Sequence, residues 1–325
     1  MKQTSFLILL FILSNCTYSQ QYKILEKSSE RFIYVLHDKI NSIDIQELSG
    51  LLKVNDDIFA IDDNYAAIYK INTNLTDIER INLSDSLIDF EGIDYNMQKK
   101  SFLLLTEKDF KENNTKSTKN EVYSYSFSDK SEQLIFDTVF ADCKNAGFEG
   151  MAVSYDGSTI YLAKERDGNA SLDSYFSRSV WVCKFDDDKN LNLINKILTY
   201  DEYPYLTDFT DIKYVEDSLS SYLYILERIN SNVIKFDLKN GDIAEIQTFE
   251  PYDISENGKC YEGKNQNRFG KAEALLVTDS EIWVGFDGNG ETFVKEWFKQ
   301  WKNSFSEKNI KSSNRNSIIM KFKKF

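Results

Sequence analysis

Carboxylates recur in this sequence at the same points of a repeated apolar pattern. The stretch from Gly147 to Gly168, GFEGMAVSYDGSTIYLAKERDG, puts Glu149 at the start of one strand-like run and Glu165 at the end of the next. The tight turn at Asp156-Gly157 folds these runs into a hairpin and returns both carboxylates to one edge of a sheet. The same order of features occurs in LSGLLKV with DDIFAIDDN, FEGIDYN with SFLLLTEKD, FTDIKYV with LYILERIN, and KAEALLV with EIWVGFDGN. Aligning the openings gives a first set, Ser49, Glu91, Glu149, Asp211 and Glu273, and a second set at the ends of the second strands, Asp63, Glu107, Glu165, Glu227 and Asp287. In the fourth repeat, anchoring on the aromatic pairs instead puts Arg228 opposite Glu165. Neighbouring strand residues face opposite sides, so this one-residue choice decides which of the two points inward.

Carboxylates converging on one opening repel one another unless neutralised, and ligation by several carboxylate oxygens suits Ca²⁺ or Mg²⁺. Glu91, Glu149, Asp211 and Glu273 are therefore the candidate metal ligands, with calcium the candidate cofactor. The competing reading is that each acid caps a strand end by accepting hydrogen bonds from backbone amides. Lys108, Arg166 and Arg228 directly follow second-strand acids, and a base beside a divalent cation is what a phosphate ester requires. This makes Glu149, Glu165, Arg166 and Arg228 the candidate catalytic residues of a metal-assisted phosphoester or ester hydrolase; local ion pairing is the alternative role for the bases. Paired acids at a suitable separation could also hydrolyse a glycoside. His37 is the one histidine, which leaves a Ser-His-Asp triad and a multi-histidine zinc site unsupported. No GxxxxGK[ST] or GxGxxG phosphate loop is present.

The elements that position these residues repeat as well. The first-set residues fall at intervals of 42, 58, 62 and 62, the periods of propeller blades built from several strands each. Third strands read AAIYKIN, EVYSYSF, SVWVCKF, NVIKFDL and SIIMKFK, and fourth strands follow in the first four repeats as DIERINL, EQLIFDTVF, LNLINKILTY and DIAEIQTF. The fifth repeat ends one strand short, so QYKILEK or RFIYVLH near the N-terminus is expected to complete it. The predicted fold is all-β: a single propeller over residues 20–325 with five blades, or six if residues 21–46 form more than one strand. The first strand of each blade lines the channel, which places the long connections on one face: from Lys108, from Arg166, from Glu250, and from Gly288 to Asn316. Insertions gathered on one face mark a binding face. Phe293, Trp297, Trp301 and Phe305, spaced by four, predict an aromatic helix face packed beside the channel mouth.

Net charge −13, from 39 Lys and Arg against 52 Asp and Glu, excludes nucleic acid and anionic lipid as the expected partners. The first 19 residues read as a signal peptide, with an apolar run from Phe6 to Leu13 too short to span a membrane. LSNC, Leu13 to Cys16, offers the alternative of a lipid anchor at Cys16. Either route exports the protein, to a secreted or periplasmic location with no transmembrane segment after processing. Export permits disulfides. Cys143 and Cys260 fall in loops of one face and either pair or stay free, while Cys183 in SVWVCKF is expected to be a buried apolar residue.

The segments EGMAVSYDGSTIYLAKERD, FEGIDYN and FTDIKYV with LYILERINSNVIKFDL resemble the bacterial phytase-like (esterase-like activity of phytase) and SdiA-regulated β-propeller families. The resemblance covers essentially all of the mature chain through the repeats. It implies an exported five- or six-bladed propeller and a phosphoester- or ester-related role. The expected partner is an anionic or polyhydroxylated small molecule held through the metal. The non-catalytic alternative is recognition of a glycan, a peptide or an extracellular or envelope protein.

Overall fold

The structure, a computed structural model, describes residues 22–26, 28, 33–38, 43–112, 115–140, 147–165, 178–186, 191–249, 271–287 and 317–324. Among them every regular element is a β-strand. After β1 (Tyr22–Ile24), β2 (Ile33–Val35), β3 (His37–Asp38) and β4 (Ile43–Asp44), four sheets follow in chain order. They are β5 (Leu48–Val54) to β8 (Ile78–Asn82), β9 (Phe90–Asn96) to β12 (Ser131–Phe140), β13 (Phe148–Val153) to β16 (Leu191–Ile197), and β17 (Phe209–Glu216) to β20 (Asp242–Thr248). The fifth contains β21 (Lys271–Val277), β22 (Glu281–Asp287) and β23 (Ile318–Lys323). The inner strands β5, β9, β13, β17 and β21 adjoin one another in a closed cycle, which is a five-bladed propeller.

Burial follows from this arrangement. Inner and second strands touch sheets on both sides, so β13 and β14 (Thr159–Lys164) are buried at every position. The edge strands β8, β12 and β16 are more exposed. Apolar clusters fill the gaps between neighbouring blades. One joins Ile61 and Phe59 to Ile93 and Phe102, and another joins Leu226 and Val233 to Val284 and Phe286. The inner strands approach so closely that a Cβ on Gly150 would lie 2.6 Å from the Cα of Asp211 in the next blade. A side chain there would displace backbone, which explains the glycine of the repeated opening.

The chain closes the ring as expected, and it uses both N-terminal candidates. β2 pairs antiparallel with β23, Tyr34 opposite Ile319, and completes the fifth blade. β1 adds in parallel to the outer edge of the fourth blade, Lys23 opposite Gln247. The sixth blade of the alternative reading does not form among the described residues, where His37–Asp38 and Ile43–Asp44 contribute only the short β3–β4 pair.

One expected loop is a strand pair. The segment from Lys108 continues β10 (Ser101–Glu112) and pairs with β11 (Thr115–Ser126) as far as Glu112 opposite Thr115. Its polar residues hide the strand signal, but they are paired: Glu121 accepts from Lys108 at 3.1 Å and from Lys119 at 2.7 Å. The segments from Arg166, from Glu250 and around the Phe293–Phe305 stripe, together with Cys143, Cys260 and Cys16, lie outside the described residues. Cys183 is a buried free thiol, pushed up to about 12 by desolvation.

Removing residues 20–36 deletes β1 and β2 and leaves the edges of β20 and β23 uncovered. The truncated chain is expected to lose the sharp thermal transition of the full chain, measured by circular dichroism. A transition of undiminished sharpness would contradict closure by β2.

Candidate functional site

Each blade carries a β-bulge at the same point of its inner strand, and the bulged residue faces the channel mouth. The pairing skips Ser49 between Leu48 and Gly50, Glu91 between Phe90 and Gly92, and Glu149 between Phe148 and Gly150. It likewise skips Thr210 between Phe209 and Asp211, and Glu273 between Ala272 and Ala274. A bulge adds one residue on one strand and re-aims its side chain. On the second strands the residues beyond the pairing form a companion ring. Asp63, Glu107, Glu165, Arg228 and Asp287 each follow or match the residue opposite the start of the inner strand. The amides of Asp63, Glu107, Glu165 and Arg228 donate to the carbonyls of Glu47, Asp89, Gly147 and Asp208, a repeated bond that fixes the ring at the rim.

Several acids here serve the backbone. Asp62 accepts from the amides of Gln46, Glu47 and Asn64. Glu227, fully buried, accepts from Thr207, Asn230 and Asn232, and so faces away from the mouth. Glu107 accepts from the amide of Gly147 at 3.0 Å and so anchors the start of the next blade. Asp211 belongs with them: its two oxygens take the Leu275 amide of the fifth blade at 2.7 Å and the Lys213 ammonium at 2.9 Å. Lys213 also donates to the carbonyl of Ile93 across the channel at 3.4 Å, and Asp94 accepts from Val153 of the third blade. These bonds tie the second to fifth blades together across the axis. Burial pushes Asp211 up to about 7 and Asp94 up to about 6, with Lys213 the main opposing influence on both.

Asp63, Asp89, Glu91 and Glu149 form a further group. Oxygens of Asp63, Asp89 and Glu91 lie within 4.8 Å of one another, a grouping able to hold a metal ion. Among the described residues no donor hydrogen-bonds to Glu91 or Glu149. Burial, then the charges of Glu149, Glu107 and Asp63, holds Glu91 well above the usual carboxylate range. Glu149 is raised in the same way, by burial and then by Glu165, Glu107 and Glu273. Desolvation and the charge of Asp89 push Glu107 up to about 8. Asp63 also rises to about 8, through burial and a hydrogen bond with Asp89. A cation among the carboxyls of Asp63, Asp89 and Glu91 would satisfy all three.

The opposite half of the mouth has its cation in the chain. Arg228 binds Glu165 at 2.5 Å, Glu273 at 2.5 Å and Asp208 at 2.7 Å. Lys108 is turned away toward Glu121 and the carbonyl of Ser86.

Of the residues read from the sequence as a site, Glu91, Glu149, Glu165, Arg228 and Glu273 come together at the mouth. Asp211 does not: the alignment was one residue late, and Thr210 holds the equivalent place, donating to the carbonyl of Ala272. Arg166 lies outside the described residues. Sequence reasoning missed Asp89 and Asp208, each directly before the phenylalanine that opens an inner strand. Their shared spacing before FEG and FTD was the available signal.

A family model described as SdiA-regulated matches residues 28–256. No curated protein matches the chain. Similar solved structures include a luciferin-regenerating enzyme at 9% identity, covering 93% of this chain and 97% of that one with a TM-score of 0.48. Another is an exported protein of Bacteroides fragilis NCTC 9343, at 13% identity, 94% and 99% coverage and a TM-score of 0.46. A third is an auxiliary nutrient binding protein of Bacteroides thetaiotaomicron VPI-5482, at 9% identity, 93% and 76% coverage and a TM-score of 0.45. Nothing chemical follows from likenesses at this level. Among the described residues no helix is long and apolar enough to cross a membrane.

The raised carboxyls set a pH dependence. Their folded forms keep protons that the unfolded chain releases near pH 4 to 4.5, so the folded state loses stability as pH rises from there toward about 8. The melting temperature of chelator-treated protein is expected to climb as pH falls from 8 to 5, with a shallower slope in Glu149→Gln. A melting temperature that drops over this interval would contradict the assigned environments.

Proposed function

This chain belongs to the SdiA-regulated family, and we propose that it is an exported propeller whose acidic mouth binds a divalent cation of the calcium type. The observation that carries this reading is the close oxygen cluster of Asp63, Asp89 and Glu91, together with two acids, Glu91 and Glu149, for which the described residues supply no hydrogen-bond donor. Oxygen-only donors on separate strands and turns suit Ca²⁺, which accepts irregular geometry, better than Mg²⁺, which demands a near-ideal octahedron. Export rests on the N-terminal sequence, through either the signal peptide or lipidation at Cys16.

When bound, such a cation would polarise an ester or phosphoester and acidify a coordinated water. Glu149 and Glu107, both raised above the usual carboxylate range by burial and neighbouring charge, are the groups that would exchange a proton beside it. Hydrolysis of a phosphoester or ester is therefore the enzymatic form of the proposal. Arg228 is the weaker choice for the phosphate-binding base, because three of its five N–H donors already serve Asp208, Glu165 and Glu273. That commitment favours a second reading, recognition without catalysis, in which the mouth and the projecting β10–β11 hairpin bind a glycan, peptide or envelope protein.

Calorimetric titration of chelator-treated protein tests the cation. Saturable Ca²⁺ binding is expected, with a melting temperature that rises with concentration; a ligand at 100 times its Kd stabilises by about 2.7 kcal/mol. Asp89→Asn and Glu91→Gln should weaken binding at least tenfold. No saturable binding of Ca²⁺ or Mg²⁺ up to millimolar concentration would overturn the proposal. Chromogenic phosphoester, ester and glycoside substrates, tried with and without Ca²⁺, separate its two forms. Cation-dependent turnover lost in Glu149→Gln supports hydrolysis, and absence of turnover with binding intact supports recognition.

A further inference from the structure

The second-strand ring is a five-fold position at which four blades place a carboxylate, Asp63, Glu107, Glu165 and Asp287, and the fourth blade places Arg228. The register leaves no ambiguity: Glu227 pairs with Phe209 as Lys164 pairs with Phe148, so Arg228 and Glu165 are equivalent. The guanidinium does what a bound cation would do there. Its Nη2, Nη1 and Nε each take one oxygen from a different blade or loop, Glu165 of the third blade, Glu273 of the fifth, and Asp208 before the fourth, at 2.5, 2.5 and 2.7 Å. With 17% of its side chain exposed, it is held in this cage rather than lying on the rim.

We infer that Arg228 is a built-in counter-cation that determines where an exchangeable cation binds. It fills the half of the mouth spanned by the third to fifth blades and leaves the Asp63, Asp89 and Glu91 cluster as the open site. Arg228 is a positioning residue: it orders Glu165, Glu273 and Asp208 and touches none of the three acids of that cluster. A ligand entering the mouth would therefore meet two positive centres of different character, a guanidinium tethered to three acids and an exchangeable metal off the axis. This inference rests on the cation reading for the first and second blades, and replacing Arg228 separates the two.

Arg228→Ser removes the charge and leaves three acids around a space a cation can fill. The inference expects Ca²⁺ titration of this variant to show one more site than the wild type. That extra site should vanish when Glu273→Gln is added and should be blocked by millimolar methylguanidinium, while Arg228→Lys keeps the wild-type stoichiometry. If Arg228→Ser fails to fold in chelator, Ca²⁺ or methylguanidinium is expected to restore its cooperative thermal transition. Equal stoichiometry in wild type and Arg228→Ser overturns the inference and spares the cation reading. Binding by Arg228→Ser but not by wild type overturns the cation reading and supports the role of Arg228. A chain that stays unfolded with either ion overturns the inference, since the cage would then need more than a positive charge.

Discussion

Five inner strands closed into a ring leave one narrow opening, and carboxylates from all five blades are held around it, where among the described residues Arg228 makes ion pairs with three of them. This electrostatic constraint governs the site. Two unit charges 4 Å apart repel by about 1 kcal/mol in water and by about 4 kcal/mol where the surroundings screen less well. The protein answers in three ways. Acids such as Asp62, Glu227 and Asp211 are surrounded by amides or an ammonium. Acids on one half of the mouth are gathered by Arg228. The rest, Asp63, Asp89, Glu91 and Glu149, are raised toward the protonated form by burial and by one another's charge. The third answer is the one a cation can displace.

The fold supplies the rigidity that such crowding needs. Apolar clusters between blades fix the spacing of the inner strands, and Gly150 permits backbone contact where the third and fourth blades meet. Asp94, Lys213 and Asp211 bond across the axis below the mouth, so the channel is bridged by polar side chains and the opening is a cup above that bridge. The β10–β11 hairpin rises beside the same half of the cup that holds the unbalanced acids, and its Asp109 adds to the field felt by Asp89 and Glu107.

Most of this architecture was legible in the sequence because each blade repeats an order of apolar strands and turns that no other common fold requires. The convergence of Glu91, Glu149, Glu165 and Glu273 followed from that repeat. The register failed only in the fourth blade. There FTD replaces FEG, so the acid sits one place later than the bulge, and Asp211 became an inter-blade clasp while Thr210 took the bulged position. The choice between Glu227 and Arg228 turned on the same single residue, and the aromatic alignment gave the correct one. Asp89 and Asp208 precede the strands, outside the strand periodicity, and only their shared place before FEG and FTD signals them. The β10–β11 extension was hidden because its residues are polar, buried ones such as Thr118 and Asn120 included, and its ion pairs run between strands, Lys108 to Glu121 and Lys119 to Asp137. Which N-terminal segment closes the ring could not be read from composition alone, since both are strand-like and both are used.

The central claim is that the unbalanced charge of the mouth sits off the axis, between the first and second blades. Crystals grown with Ca²⁺ and measured at a wavelength where calcium scatters anomalously locate the ion directly. The result expected is a single strong peak at the mouth, about 2.3 to 2.6 Å from oxygens of Asp63, Asp89 and Glu91, with Arg228 still bound to Glu165, Glu273 and Asp208. A peak on the axis among Glu149, Glu273 and a displaced Arg228, or no peak at the mouth with calcium in excess, would contradict it.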